Sequence, residues 1–496
     1  MSDSRIDRIA SLAQKAAGVS LILALVLLPI TSLPILSKIA GGTMVAPPSM
    51  IFVFLAMVLW MPIFILRKGK LPAETRPFLA FSIVACISSL AAFFLPIATY
   101  KGHIISKEEI SALITLASAF VFYLVFSTWY QDKNQLSNAL KLLNWGGLAI
   151  MIWGFAQIAV INFLHGDYPA WMVKFHDLLS IRSLSNNTFS LRATGFAYEP
   201  SWLAHQLNIL YIPLWLASTI VGYSSYQKRF LHVSAENFLL AGGIILLAFS
   251  WSRIGLFAFL LSAAFLVYRF SAYLAKRIIQ TIKPASRLNA LFRRVLEFIT
   301  VVGLFIIYIV IAIGFLFAVS RMDLRLARLF NLRILPSDPF GLALRLAFAE
   351  RLVYWQVGWD IFAHFPLIGV GLGNAGFYFG SYLPFQGQML NEVLSMSTIA
   401  NFLPNIKSMW VRILAETGIV GFSIFSTWIY VLWQANRSLR DFSSPLIKVI
   451  GWMGALTTVA FLVEGFSIDT FALPYLWVSL GLVTAASFMV RKNTLI

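Results

Sequence analysis

Apolar stretches long enough to cross a lipid bilayer, such as "VVGLFIIYIVIAIGFLFAV" at 301–319, recur along the whole chain. A helix needs about 20 apolar residues to span a hydrocarbon core about 30 Å thick. Lipid offers no partner for a bare backbone N–H or C=O, so such stretches have to be helices that satisfy themselves. Composition agrees: of 496 residues 59% are hydrophobic and 12% charged, with mean hydropathy +0.81, far from ordinary globular usage. The fold class expected is therefore an all-α polytopic membrane protein.

Twelve candidate spans are expected, at about 19–37, 49–66, 77–98, 110–129, 142–164, 199–221, 236–251, 254–273, 295–319, 409–433, 448–466 and 473–490. The amphipathic start "MSDSRIDRIASLAQKAAG" has no small-residue cleavage site near its end, and reads as the lead-in to a retained first span. The connectors sort by charge. One set, including "RKGKLPAETR", "AKRIIQTIKPASRLNALFRR" and "QANRSLRDFSSPLIK", holds with the N-terminal segment more than half of the 38 Lys and Arg. The positive-inside bias then places both termini in the cytoplasm. The organisation expected is spans one to nine over 1–319, an outward loop with amphipathic helices over 320–408, and spans ten to twelve over 409–496.

The net charge of +18 is explained by this bias together with anionic headgroups. No basic soluble module with interleaved aromatics exists, so nucleic acid is not an expected partner, whereas membrane lipids are. The single cysteine, Cys86, can form no intrachain disulfide and reads as a small core residue. D-x-D, H-E-x-x-H and P-loop patterns are absent, as is any His/carboxylate cluster at ligand spacing. No metal or cofactor is expected.

Several constellations face outward in this topology. Arg321, Arg325, Arg328, Arg333, Arg345 and Arg351 gather just past the ninth span, where the positive-inside rule does not account for them. They suit anionic lipid headgroups, and equally a phosphate clamp, because guanidinium stays charged and matches phosphate oxygens bidentately. In "LRATGFAYEPSWLAHQ", Glu199 and Pro200 open the sixth span. Helix capping explains Glu199 alone but not Arg192 and His205 beside it. In "SWSRIG", Arg253 sits in a very short turn and either snorkels or faces an internal cavity. "GLALRLAFAERLVYWQVGWDIFAHF" has the periodicity of one amphipathic helix on the outer face. The glycines of "FPLIGVGLGNAGFYFG" lack the βαβ context of a dinucleotide site and read as tight turns. Arg412 and Glu416, four apart on a span, are placed to neutralise each other, with Lys407 at its outer end and Glu464 and Asp469 on the same side.

Together these elements resemble the O-antigen polymerase/ligase superfamily over roughly residues 190–425. The resemblance rests on "R-x-x-G-F-x-x-E-P-S" at 192–201, "S-x-S-R-x-G" at 250–255, "R-L-x-x-W" at 351–355, "P-L-I-G-V-G-L-G-N" at 366–374 and "G-I-V-G" at 418–421. In that family, ligases carry His, then Asn, Ser or Gln, nine residues, and G-x-x-G. Ser408 and Gly418–Gly421 fit that spacing, but Lys407 stands where the His would be. That departure and the E-P-S form favour a polymerase of surface polysaccharide.

The resemblance implies a bacterial inner-membrane glycosyltransferase whose active site faces the periplasm. Donor and acceptor would both be glycans on undecaprenyl pyrophosphate, and a chain-length regulator protein would be a partner. Arg192, Arg253 and Arg351, each within a motif, would stabilise the departing pyrophosphate, and Glu199 would be the base. Lys407, Arg345, Arg321, Arg325, Arg328, His205 and Arg412 would bind substrate. The competing readings are an O-antigen ligase acting on lipid A-core, a lipid-linked-glycan flippase or other transporter, and a non-enzymatic assembly factor.

Overall fold

The computed structural model describes residues 3–97, 99–185, 191–226, 229, 231, 233–282, 290–331, 336, 338–398 and 402–494. Among them the chain is helical, without strands beyond isolated bridges. Nine helices are long and apolar enough to cross a membrane: α1 (Asp3–Val26), α3 (Ser49–Leu66), α4 (Thr75–Ala92), α5 (Ile105–Trp129), α6 (Lys133–Phe163), α11 (Arg253–Ile282), α12 (Ala290–Ser320), α17 (Met409–Arg440) and α18 (Pro445–Glu464). The other three expected stretches are helical too. They are α8 (Pro200–Gln206) running through a π turn at Leu207–Tyr211 into α9 (Ile212–Val221), then α10 (Ala235–Ser250) and α19 (Pro474–Thr494). Shorter helices decorate the connectors: α2 (Pro34–Ile39), α7 (Ala170–Leu179), α13 (Leu324–Phe330), α14 (Pro339–Arg345), α15 (Ala349–His364) and α16 (Asn391–Thr398).

Two expectations shift. The first apolar helix is α1, earlier than 19–37, because the amphipathic lead-in is continuous with it. The chain then breaks around Thr31 and Ser32 before Pro34 starts α2. The expected single amphipathic helix over 341–365 is two, α14 and α15, parted at Leu346–Phe348, where Ala347 takes φ 49°.

The connectors segregate to opposite ends. At one end Ile181 N–H donates to Ser32 O (3.1 Å), Lys101 Nζ to Met396 O (2.9 Å) and Met409 N–H to Gly465 O (2.7 Å). At the other, basic end Arg67 Nη1 donates to Gln14 Oε1 (3.2 Å), Ser487 Oγ to Glu74 Oε1 (2.7 Å), and Arg491 pairs with Glu74.

Aromatic rings fill the centre. Phe78 of α4 stacks on Trp428 of α17 at 4.6 Å and on Trp477 of α19 at 5.2 Å, with Tyr123 of α5 edge-on. Such pairs add about 0.5–1.5 kcal/mol each beyond the area they bury. Cys86 is exposed on the outside of α4 rather than in this core; in lipid an apolar outer face costs a small thiol nothing. The π turn has a chemical cause. Pro213 has no N–H to return to the Ile209 carbonyl, which instead accepts the Thr457 hydroxyl at 2.7 Å. At the periphery α12 packs on α11 and turns aliphatic side chains such as Ile306, Val310 and Ile313 outward.

Candidate functional site

The end of the bundle away from the basic connectors gathers the motif arginines, each seated on backbone carbonyls. α10 stops at Trp251, whose φ of 48° closes the helix and leaves its last carbonyls unpaired. Arg192 fills that gap: Nε donates to Ser250 O at 3.0 Å and Nη2 to Trp251 O at 3.3 Å. Arg253, two residues on, reaches across to the break between α14 and α15 and donates to Leu346 O and, at 2.8 Å, to Ala347 O. It neither snorkels nor hangs in an open cavity; it ties the short turn to the long outer segment. Arg351, on the first turn of α15, donates to Lys407 O at 3.3 Å. The chain path Arg192–Trp251–Arg253–Ala347–Arg351–Lys407 is therefore continuous through direct hydrogen bonds and short stretches of backbone.

Lys407 holds a positive φ of 54°, and its ammonium lies 5.9 Å over the Tyr354 ring, within cation–π range. Burial, reinforced by the neighbouring Glu392 carboxylate, pushes the Tyr354 phenol well above its usual range. It is therefore a lasting donor, bonded to Glu392 Oε1 at 3.2 Å. Ser408 caps α17, accepting from Val411 N–H, and donates to Gly465 O at 3.3 Å.

Glu199 occupies the capping position before Pro200, yet its carboxylate makes no cap bond. One oxygen accepts the Ser201 hydroxyl, and the other lies 3.5 Å from Arg182 Nη1. Arg182 also covers the Tyr198 ring at 4.4 Å and donates to its hydroxyl at 3.2 Å. Arg182 escaped the sequence reading because its connector has no periodicity; two basic residues flanking "E-P-S" were a signal that pointed to Arg192 alone.

Glu199, Arg192 and His205, close in sequence, thus take three different partners. His205 is buried against Glu464, Nδ1 to Oε2 at 2.6 Å, and Asn208 Nδ2 donates to Oε1 of the same carboxylate at 2.7 Å. The π turn aims Asn208 there, and the same amide group reaches Gly255 O at 2.7 Å.

The glycine-rich segment explains the G-x-x-G spacing. α17 is broken at Gly418, φ 63° and ψ −168°, ten residues past the Ser408 cap. Residues 366–371 lie in the break and satisfy its backbone. Val370 and Gly371 N–H donate to the Ala415 and Glu416 carbonyls (both 3.0 Å), while Ile419 and Val420 N–H donate to Pro366 O and Leu367 O (2.8 and 3.2 Å). Broken helices survive at membrane depth where protein supplies such partners. Asn374 anchors the segment on Glu109 at 2.5 Å. Arg412 Nε pairs with Glu416 Oε2 at 2.9 Å and also donates to Asp469 O. The glycines are tight turns, at φ 70°, 89° and 89° for Gly369, Gly371 and Gly373, serving a helix break.

The remaining outer arginines are peripheral. Arg321 covers the Phe317 ring at 4.7 Å, Arg328 donates to Arg345 O at 3.4 Å, and Arg345 to Asn331 O at 2.5 Å. Arg333 and the side chain of Arg325 lie outside the described residues. Among the described residues no three His, Cys, Asp or Glu side chains are grouped to hold a metal ion.

In chemical terms this corner offers fixed cations with several partnered carboxylates beside them, a setting that can hold an anionic group. A search of curated proteins finds no match. A family model described as O-antigen ligase matches residues 238–426, a stretch that holds Arg253, Arg351, Lys407 and Gly418 and begins after Arg192 and Glu199. That match, over part of the chain, supports its resemblance to the O-antigen polymerase/ligase superfamily.

Proposed function

We propose that this protein polymerises oligosaccharide repeat units carried on undecaprenyl pyrophosphate, at the periplasmic face of the bacterial inner membrane. The observation that carries the reading is the linked row Arg192–Arg253–Arg351, each guanidinium fixed on backbone carbonyls of a neighbouring segment. In the reaction an acceptor sugar hydroxyl forms a bond to the donor's anomeric carbon. The bond from that carbon to the pyrophosphate oxygen breaks, and its electron pair leaves with the pyrophosphate. Preorganised guanidinium groups stabilise that growing negative charge more in the transition state than in the ground state. Glu199 takes the hydroxyl proton. Arg182 and Ser201 hold its carboxylate in place, and a positioned base is worth about 10²–10⁴-fold in rate. Lys407, on its aromatic seat, is a phosphate holder in this scheme. Arg321, Arg328 and Arg345 would draw the anionic lipid carrier toward the row.

The family model's description, O-antigen ligase, favours a second reading, an enzyme that delivers glycan to lipid A-core. Lys407 weighs against it, because imidazole chemistry is missing at the position where ligases of this family carry His.

The discriminating experiment supplies purified protein with lipid-pyrophosphate-linked repeat units alone and resolves the lipid products on a gel. A ladder of multiples is expected. Transfer only after lipid A-core is added would assign a ligase, and no transfer in either mixture would sink both. In the same assay Arg351→Lys, which keeps charge and loses the planar fork, should slow ladder growth roughly tenfold to a hundredfold; a normal rate removes Arg351 from the clamp. Glu199→Gln should lower the single-turnover rate about a hundredfold or more while donor binding stays intact, and an unchanged rate would remove Glu199 as the base.

A further inference from the structure

Beside Glu199, on the same end of the bundle, a wide-mouthed surface cavity of 410 Å³ is lined by Ile181, Arg182, Ser183, Ser185 and Tyr198. We infer that this cavity is the acceptor-sugar subsite, taking one uncharged sugar ring of the incoming repeat unit. The inference rests on the polymerase reading and gives that reading's second substrate a place.

The volume lies within the roughly 300–1,000 Å³ of small-ligand sites. The lining mixes hydroxyls, at Ser183, Ser185 and Tyr198, with the aliphatic side of Ile181, which suits a ring that is polar at its edge and less so on its face. Charge then selects between the two chemistries in play. The Arg182 guanidinium is paired with the Glu199 carboxylate at 3.5 Å, so the cavity presents no net cation, and a pyrophosphate seated there would meet that carboxylate. A neutral polyol meets no such penalty.

The walls are also fixed before any ligand arrives. Ser180 bridges to Ser32, and Ile181 N–H donates to Ser32 O at 3.1 Å. Tyr198 N–H donates to Thr31 Oγ1 at 2.9 Å. The buried His176 ring hydrogen-bonds the Arg182 backbone. Position completes the case. The cationic row suits the donor pyrophosphate, so the acceptor has to come from another side, and Glu199 borders the cavity through its pair with Arg182.

The test uses the full chain in detergent. Its probe is the repeat-unit oligosaccharide freed from its lipid pyrophosphate by mild acid. Saturation-transfer NMR should show contact to the sugar ring protons. Ser183→Trp and Ser185→Trp, which fill the cavity from two positions, should each weaken binding roughly tenfold or more. Two separate positions keep the result readable if one variant fails to fold. Inorganic pyrophosphate should not displace the oligosaccharide. No transfer to the parent protein, unchanged transfer in a folded filled variant, or displacement by pyrophosphate would each overturn the subsite. Binding and ladder formation are separate readouts. A protein that binds the oligosaccharide here and builds no ladder loses the polymerase reading and keeps the subsite. A ladder indifferent to both filled variants keeps the polymerase and loses the subsite.

Discussion

Gly418→Ala should destabilise the protein by about 3 kcal/mol or more and abolish glycan transfer. Two costs add. The backbone at φ 63° and ψ −168° is a region that only glycine enters readily, worth about 1–3 kcal/mol for another residue. A Cβ there would also stand 2.2 Å from Leu367 O and 2.3 Å from Leu367 C, backbone atoms that cannot rotate aside. Relief requires 366–371 to move off α17, and the four backbone hydrogen bonds across the break go with it. Each such bond is worth about 0.5–1.5 kcal/mol net, and more where the group is left buried and unpaired. Gly314→Ala is the control: a Cβ there would meet nothing within 4 Å, so no comparable loss should follow. Thermal unfolding in detergent reads both, and a Gly418→Ala protein as stable as its parent would mean that the break is not held by 366–371.

Glu464→Ala should cost about 2–5 kcal/mol, since each buried polar group left without a partner costs about 1–3 kcal/mol. The carboxylate is fully buried and serves both His205 and Asn208; without it, two polar groups lose their partner in the core. The effect should reach the site, because Gly465, the next residue, accepts both Ser408 Oγ and Met409 N–H. A double replacement, His205→Phe with Glu464→Leu, should recover much of the loss, since well-packed apolar residues often match a buried pair in stability. Thermal unfolding of the two single variants and the double variant gives the coupling. Additive losses would show that the pair acts through something other than its mutual bond.

The spans were legible because bilayer thickness is written in one dimension as the length of an apolar run. The site was legible only as a set of names. Arg253 is at home on the carbonyls of Leu346 and Ala347, and carbonyls leave no mark in the residue types that carry them. The same blindness merged α14 with α15: helical periodicity runs straight through Ala347, and the break is visible only once Arg253 occupies it. Glu199 was read beside Arg192 because they are close in sequence, while the closer neighbour in space is Arg182, seventeen residues away. His205 and Glu464 lie 259 positions apart on helices that sequence alone does not pair. The glycines of 369–373 and 418–421 were visible as two clusters, but that one fills the break in the other is a fact of backbone pairing.

The segment lodged at Gly418 also sets a timetable. Residues 366–372 meet Ser88 and Ser89 of α4, made early, and share four backbone hydrogen bonds with α17, made some forty-five residues later. α5 waits longer still for α19, to which Tyr123 is joined through the Thr484 hydroxyl at 2.8 Å. A ribosome adding about 5–20 residues per second therefore leaves the early helices in the bilayer for many seconds with their polar groups, Ser88, Ser89 and Glu109, still unmatched. Until the last helix inserts, the nascent chain holds every quoted motif while its early helices still lack the polar partners that the later helices bring.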